Sequence, residues 1–157
     1  MLDPFDQRIL ETLARDGRIT VTELAARIGL SKTPCQARMR RLEREGYILG
    51  YRARLNWQRI DRAHIAFVQA RLERTTEAAL TAFNRAVLQV PEIEECHMIA
   101  GGFDYLLKIR TADITAYRRV LAEEISTLPH IAQTATFVAM EAVKEAGESL
   151  GGVDPRT

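Results

Sequence analysis

Two cysteines in 157 residues, Cys35 and Cys96, are too few for a disulfide framework or for the common four-ligand cysteine zinc sites. Long apolar runs are missing too: no stretch approaches the ~20 residues a membrane helix needs. The opening Met1-Leu2-Asp3-Pro4-Phe5-Asp6 is acidic and polar where a secretory leader would be basic and then apolar. His64, His97 and His130 lie far apart, and Cys96-His97 are strand neighbours whose side chains point to opposite faces. There is no Walker loop, GxSxG elbow or GxGxxG, and the adjacent pairs Glu94-Glu95 and Glu123-Glu124 diverge into solvent. No catalytic residue, metal site or cofactor is expected. With 46% hydrophobic and 27% charged residues, the chain reads as a soluble, cytoplasmic, globular protein of one domain or two small ones.

Net charge is also scarce, at +1, but it is unevenly divided. Residues 1–60 hold 12 Lys/Arg against 7 Asp/Glu, whereas residues 61–157 hold 10 against 14. Between positions 27 and 59 nine Lys/Arg are opposed only by Glu43 and Glu45. A basic third joined to an acidic remainder fits a nucleic-acid-binding module carrying a second domain. A solvated helix face is the bland alternative, so local structure must decide.

Asp3 is placed to cap a first helix, with Pro4 at its first position and Asp6 near its positive end. Ile9, Leu10 and Leu13 form its apolar stripe, and Asp16-Gly17 stops it. Thr20 and Glu23 are spaced as a capping box for a second helix, which Gly29 ends. Ser31 is expected to cap a third, running through Arg44 to Gly46, with Pro34 in the tolerant first turn. A Gly-containing junction this tight between short helices marks a helix-turn-helix. On the third helix Cys35, Met39 and Leu42 turn inward, leaving Thr33, Gln36, Ala37, Arg40, Arg41 and Arg44 outward. Arg can pair with guanine and Gln with adenine in a major groove, while the helix N-terminal amides suit phosphate. Ser31, Lys32 and Arg38 complete the expected DNA-binding set, Lys32 and Arg38 as phosphate contacts. Tyr47 to Leu55 then reads as a short β-wing with Arg52 and Arg54 on one face, closing a winged helix-turn-helix domain at 1–55.

Residues 56–62 read as a linker, with Trp57 packing at the junction. Beyond them the expected elements are a strand at 63–73, a helix at 77–88, strands at 93–99 and 104–110, a helix bearing Ile114, Tyr117, Leu121 and Ile125, and a strand at 131–143. That order suits a βαββαβ ferredoxin-like domain at 63–143, making the chain α+β overall. Two helices cover one sheet face only, and a second copy is the economical cover for the other, giving a symmetric dimer. Residues 144–157 are expected to form a tail, loose from Gly147 onward.

Four segments, Asp6–Leu10 with Asp16–Ile19, Gly29–Cys35 with Arg40–Glu43, Gly46–Ile48 with Gly50-Tyr51, and Glu95–His97 through Gly101–Lys108, closely resemble the Lrp/AsnC family of bacterial transcription regulators. The resemblance covers roughly Leu2 to Ala146 and extends to Thr136–Glu141. It implies a homodimer joined through the sheets, often assembled to an octamer of four dimers, and an amino-acid effector bound between dimers that alters assembly or DNA affinity. Carried over by position, the effector loop is Gly101, Gly102, Asp104 and Tyr105, with Met98, Ile114, Thr134, Thr136, Phe137 and Val138 lining or adjoining the pocket. Two glycines let backbone amides approach a carboxylate, and Asp104 suits an α-ammonium group, although Gly101-Gly102 also reads as an ordinary hairpin turn. Trp57 stands where the family often has proline, Lys32 where proline or alanine is common, and Ile114 and Phe137 differ at pocket-side positions, which leaves the effector's identity open.

The expected function is therefore a nucleoid-associated transcription regulator that binds double-stranded DNA and senses a small amino acid, with no membrane partner. An architectural DNA-binding protein without effector is the main alternative; an amino-acid-binding module that controls an enzyme is the other.

Overall fold

The computed structural model describes residues 1–145, which form two compact units: Met1–Leu55 together with Lys144 and Glu145, and Asn56–Val143.

The first unit is built from local signals. Asp3 accepts from the backbone N–H groups of Phe5 and Asp6, each at 2.9 Å, and Asp6 accepts from Asp3 N–H at 3.0 Å, starting helix α1 (Pro4–Arg15). Thr20 and Glu23 cap α2 (Val21–Ile28) in the same reciprocal way. Gly29 ends α2 with φ 77°, a left-handed conformation that favours glycine, and Leu30 N–H closes the turn on Ala25 at 2.9 Å. Helix α3 (Lys32–Arg44) follows α2 after the three residues Gly29, Leu30 and Ser31. Ile9, Leu13, Leu24, Ala25, Ile28, Cys35 and Leu42 form the common core. Fully burying each large aliphatic side chain contributes about 1.5–3 kcal/mol, enough to override the modest helix propensity of these short segments.

Two local expectations are corrected here. Ser31 holds the N-cap position of α3, but its hydroxyl makes no capping bond. A capping side chain accepts from the second or third helical N–H, and the third residue is Pro34, which has none. The expected β-wing is also absent as a strand: Tyr47 and Ile48 N–H both donate to Leu42 carbonyl, at 2.9 and 3.2 Å, and residues 48–55 then run without secondary structure. Their strand-forming residues have no ladder partner within the described residues of this unit.

The second unit is a four-stranded antiparallel sheet of β1 (His64–Leu72), β2 (Ile93–Met98), β3 (Tyr105–Thr111) and β4 (Ile131–Val138), in the order β2-β3-β1-β4. Helix α4 (Glu77–Val87) links β1 to β2, and α5 (Ile114–Val120) links β3 to β4. This is the βαββαβ ferredoxin-like arrangement. Ala66, Val68, Ala70 and Leu72 of β1 and Tyr105, Leu107 and Ile109 of β3 face Phe83, Val87, Tyr117 and Val120 of the two helices. Leu121–Ile125 continues α5 as a π-helical turn, closed by Ser126 N–H on Leu121 carbonyl at 2.9 Å, and it brings Ile125 fully into the core.

The last strand stops at Val138 rather than at 143. Ala139 N–H makes the final bond to Ile65 at 2.9 Å, and β1 starts at His64, so nothing is left to pair with. The expected linker is likewise a compact turn of this unit: Arg62 N–H bonds Trp57 carbonyl at 2.9 Å, and the buried Arg110 guanidinium stacks over Trp57 at 4.7 Å while donating to Arg62 carbonyl at 3.2 Å. The sheet face away from the helices carries Phe67 opposite Phe137, 36% and 53% exposed, flanked by Leu106 and Ala135. The loose tail expected from Gly147 lies outside the described residues.

Candidate nucleic-acid interface and effector cleft

Helix α3 presents Thr33, Ala37, Arg40 and Arg44 to solvent, with Gln36 partly exposed beside them and Cys35 and Leu42 buried on the reverse side. Lys32 and Ser31 are exposed at its start. Arg38 and Arg41 are drawn toward α1 instead. Arg38 donates to Asp3 at 2.6 Å and to Asp6 at 2.9 Å, and Arg41 donates to Asp6 at 2.5 Å. At 100° per residue these two arginines sit on the flank between the buried stripe and the outer face, within reach of the α1 caps.

Asp6 is fully buried. Burial by itself raises its carboxyl pKa, but the bonds from Arg41, Asp3 N–H and Arg38 outweigh that and hold it at about 2. The same carboxylate thus caps α1 and clamps α3. Sequence spacing exposed the cap, which is local; the clamp joins positions 32 and 35 residues apart and left no periodic trace.

Arg52 and Arg54 are exposed on the extended segment after α3. Tyr51 hydroxyl donates to Glu43 at 2.9 Å, which holds that segment alongside the helix and occupies one of the two acids in the basic stretch. The candidate interface is therefore a cationic helix face with a basic, strandless arm beside it.

In the second unit Gly101, Gly102 and Asp104 form a loop facing Arg71, Leu72, Glu73, Arg74 and Thr75 across an open cleft of about 360 Å³ that Phe103 also lines. Asp104 is committed on one side: its N–H bonds Ala70 carbonyl at 3.0 Å, and its Oδ2 accepts from Leu72 N–H at 2.7 Å. Arg71 donates to Gly102 carbonyl from the opposite wall.

The other expected pocket residues do not join this cleft. Tyr105 points to the helix side, 2% exposed and packed on Phe83 at 4.4 Å between ring centroids, because its strand parity is that of Leu107 and Ile109. Its hydroxyl is buried with no hydrogen-bond partner among the described residues. Met98 is exposed on edge strand β2, while Thr134, Thr136, Phe137 and Val138 lie on the opposite edge strand. Three strand spacings separate those edges, roughly 14 Å. Phe137 faces away from Thr136, whose hydroxyl bonds Tyr117 at 2.5 Å, and Ile114 is half-exposed at the start of α5. Arg71, Glu73 and Arg74 carried no sequence signal as lining residues, since the loop they face is distant along the chain, Arg71 reaching Gly102 across 31 positions.

Residues 65–149 match the family model of the Lrp/AsnC ligand binding domain, and residues 2–48 match a model of winged helix-turn-helix DNA-binding domains. The chain is 60% identical to a proline dehydrogenase transcriptional activator of Rhizobium radiobacter over 93% of its own length and 94% of that protein's. It is 48% identical to the leucine-responsive regulatory protein of Escherichia coli, covering 92% and 88% of the two chains. Among solved structures, a transcriptional regulator of Neisseria meningitidis in complex with L-Met superposes with a TM-score of 0.85 at 27% identity, covering 93% of this chain and 94% of that one. A helix-turn-helix with a basic outer face, followed by a ferredoxin-like sheet with a polar cleft, is thus the architecture of a transcription regulator, and the chain belongs to the Lrp/AsnC family.

Proposed function

We propose that this regulator reads its operator through the outer face of α3 and changes its assembly or DNA affinity on binding a small amino acid. The observation that carries the reading is the exposure of Thr33, Ala37, Arg40 and Arg44 on one face of a helix whose remaining arginines are tied to α1. Arg40 suits a bidentate contact to guanine and Gln36 one to adenine, while Arg44, Lys32, Arg52 and Arg54 suit phosphates. Because Ser31 does not cap α3, the first N–H groups of the helix suit a phosphate oxygen. Arg38 and Arg41 act behind this surface by fixing its angle.

The bare sheet face around Phe67 and Phe137 supports a homodimer, and the strandless segment 48–55 exposes the further apolar side chains Leu49, Tyr51 and Leu55. Placement of the expected pocket residues on both sheet edges fits a pocket completed by a second copy and, with it, the octamer. Several DNA-binding heads on one core multiply affinity through effective concentration. The site of action is nucleoid DNA in the cytoplasm.

The relative of highest identity above is named as activator of proline dehydrogenase, which makes that gene the first candidate target and proline, the enzyme's substrate, the first candidate effector. The test is fluorescence anisotropy of the intact chain on duplex DNA from upstream of a proline dehydrogenase gene and on a shuffled duplex, at 0.15 M salt, with and without L-proline. The reading predicts at least a hundredfold preference for the native duplex, altered by proline. A ratio near one would favour the architectural alternative instead.

A further inference from the structure

Gly101 and Gly102 are not explained by the packing of the chain itself. Neither adopts a left-handed φ; a Cβ on Gly102 would meet nothing within 4 Å, and one on Gly101 only the Ile99 side chain at 3.5 Å, an ordinary contact. The loop backbone is therefore open to a molecule approaching from outside. The facing wall is charged in a particular way. Arg71 and Arg74 supply two cations and Glu73 and Asp104 two carboxylates, all lining one cleft of about 360 Å³. A patch of one sign would attract an ion; equal numbers of both signs match a zwitterion.

The backbone around the cleft is fixed. Asp104 N–H on Ala70 carbonyl and Leu72 N–H on Asp104 Oδ2 staple the loop to the end of β1, where the register with β4 shifts between Arg71 and Leu72. Arg71 spans the cleft to Gly102 carbonyl, which uses one of the five N–H donors of a guanidinium. The remaining donors suit a planar carboxylate.

Resting on the reading of the chain as an amino-acid-responsive regulator, we infer that Arg71, with Arg74 beside it, receives the carboxylate of the effector, and that Glu73 and the second oxygen of Asp104 receive its ammonium group. Arg71 is then the specificity residue for free amino acids: it grips the ligand and the effector loop with the same side chain. This reassigns the carboxylate, which the sequence alone placed on the amides of Gly101 and Gly102.

The experiment is isothermal titration of the full-length protein with each of the twenty free amino acids, followed by the tightest binder against its C-terminal amide. The wild type should prefer the free acid, and Arg71→Gln should weaken the acid by about 10- to 100-fold, as expected for one charge-assisted bond, while leaving the amide nearly unchanged. Arg71→Lys should recover part of the preference, and Arg74→Gln should lose a smaller part. Circular dichroism melting and ligand-free operator binding, unchanged in the variants, separate lost recognition from lost folding; should Arg71→Gln not fold, Arg71→Lys and Arg74→Gln decide the matter. If Arg71→Gln keeps the full acid-over-amide preference, the inference is wrong although the regulator reading stands. If the wild type binds none of the twenty, both fall.

Discussion

Replacing Asp6 by Asn removes a buried charge that both completes the α1 capping box and clamps α3. The carboxylate is fully buried and accepts from Asp3 N–H, Arg38 and Arg41, and these bonds bring its pKa from 3.8 down to about 2. At roughly 1.4 kcal/mol per pH unit, that displacement corresponds to about 2–3 kcal/mol of stability at neutral pH before solvent screening. Arg38 and Arg41 keep 28% and 34% of their side-chain surface exposed, so water offsets some of their loss and about 2 kcal/mol is an upper figure. The sign follows from the depressed pKa: the contribution is fully present above pH ~4 and disappears as pH falls through ~2. Urea unfolding of wild type and Asp6→Asn, followed by far-ultraviolet circular dichroism, should show a gap of up to about 2 kcal/mol at pH 7. In a unit of this size that is a drop of roughly ten degrees in Tm. By pH 3 the gap should fall to about half. Equal stabilities at pH 7, or a gap that does not shrink between pH 7 and pH 3, would refute the clamp.

Arg52→Ala and Arg54→Ala should each weaken binding to every duplex alike and flatten the salt dependence by about one unit, whereas Arg40→Ala should cost about 1–3 kcal/mol on the operator and relax preference at one base position; anisotropy titrations between 0.05 and 0.2 M salt distinguish the two behaviours. Phe67→Glu, opposite Phe137 on the bare sheet face, tests the proposed dimer: it should lower the sedimentation coefficient relative to wild type while preserving the far-ultraviolet spectrum. Burial raises the pKa of both thiols and removes Cys35 entirely from solvent, so a thiol reagent at pH 7 should leave Cys35 unlabelled in the native protein and modify it in urea.

The parts legible in the sequence are those decided within a few residues. Asp3-Pro4 and Thr20 with Glu23 start helices by bonds spanning three positions, Gly29 stops one by its own φ, and Cys35 with Leu42 marks the inner stripe of α3. The alternation Tyr105, Leu107, Ile109 likewise gives the buried side of β3, and the position inherited from the family resemblance conflicted with it at Tyr105. What stayed illegible depends on a distant partner. The end of β4 is set by where β1 begins, and the segment after α3 has strand-forming residues but no ladder partner among the described residues of its unit. Arg38 and Arg41 look identical to Arg40 and Arg44 until α1 is folded against them. Arg71 comes to line the cleft only when the end of β1 and the Gly101–Asp104 loop are folded together.

The most direct test of the account is to reverse Arg40 and Arg44 together to Glu in the full-length chain and measure operator binding. Those two arginines stand on the exposed face of α3 and contribute nothing to its core. The double variant should keep the wild-type Tm and sedimentation profile and show no detectable operator binding at 0.15 M salt. Binding at wild-type affinity by a folded R40E/R44E protein would contradict the claim that this helix face reads DNA.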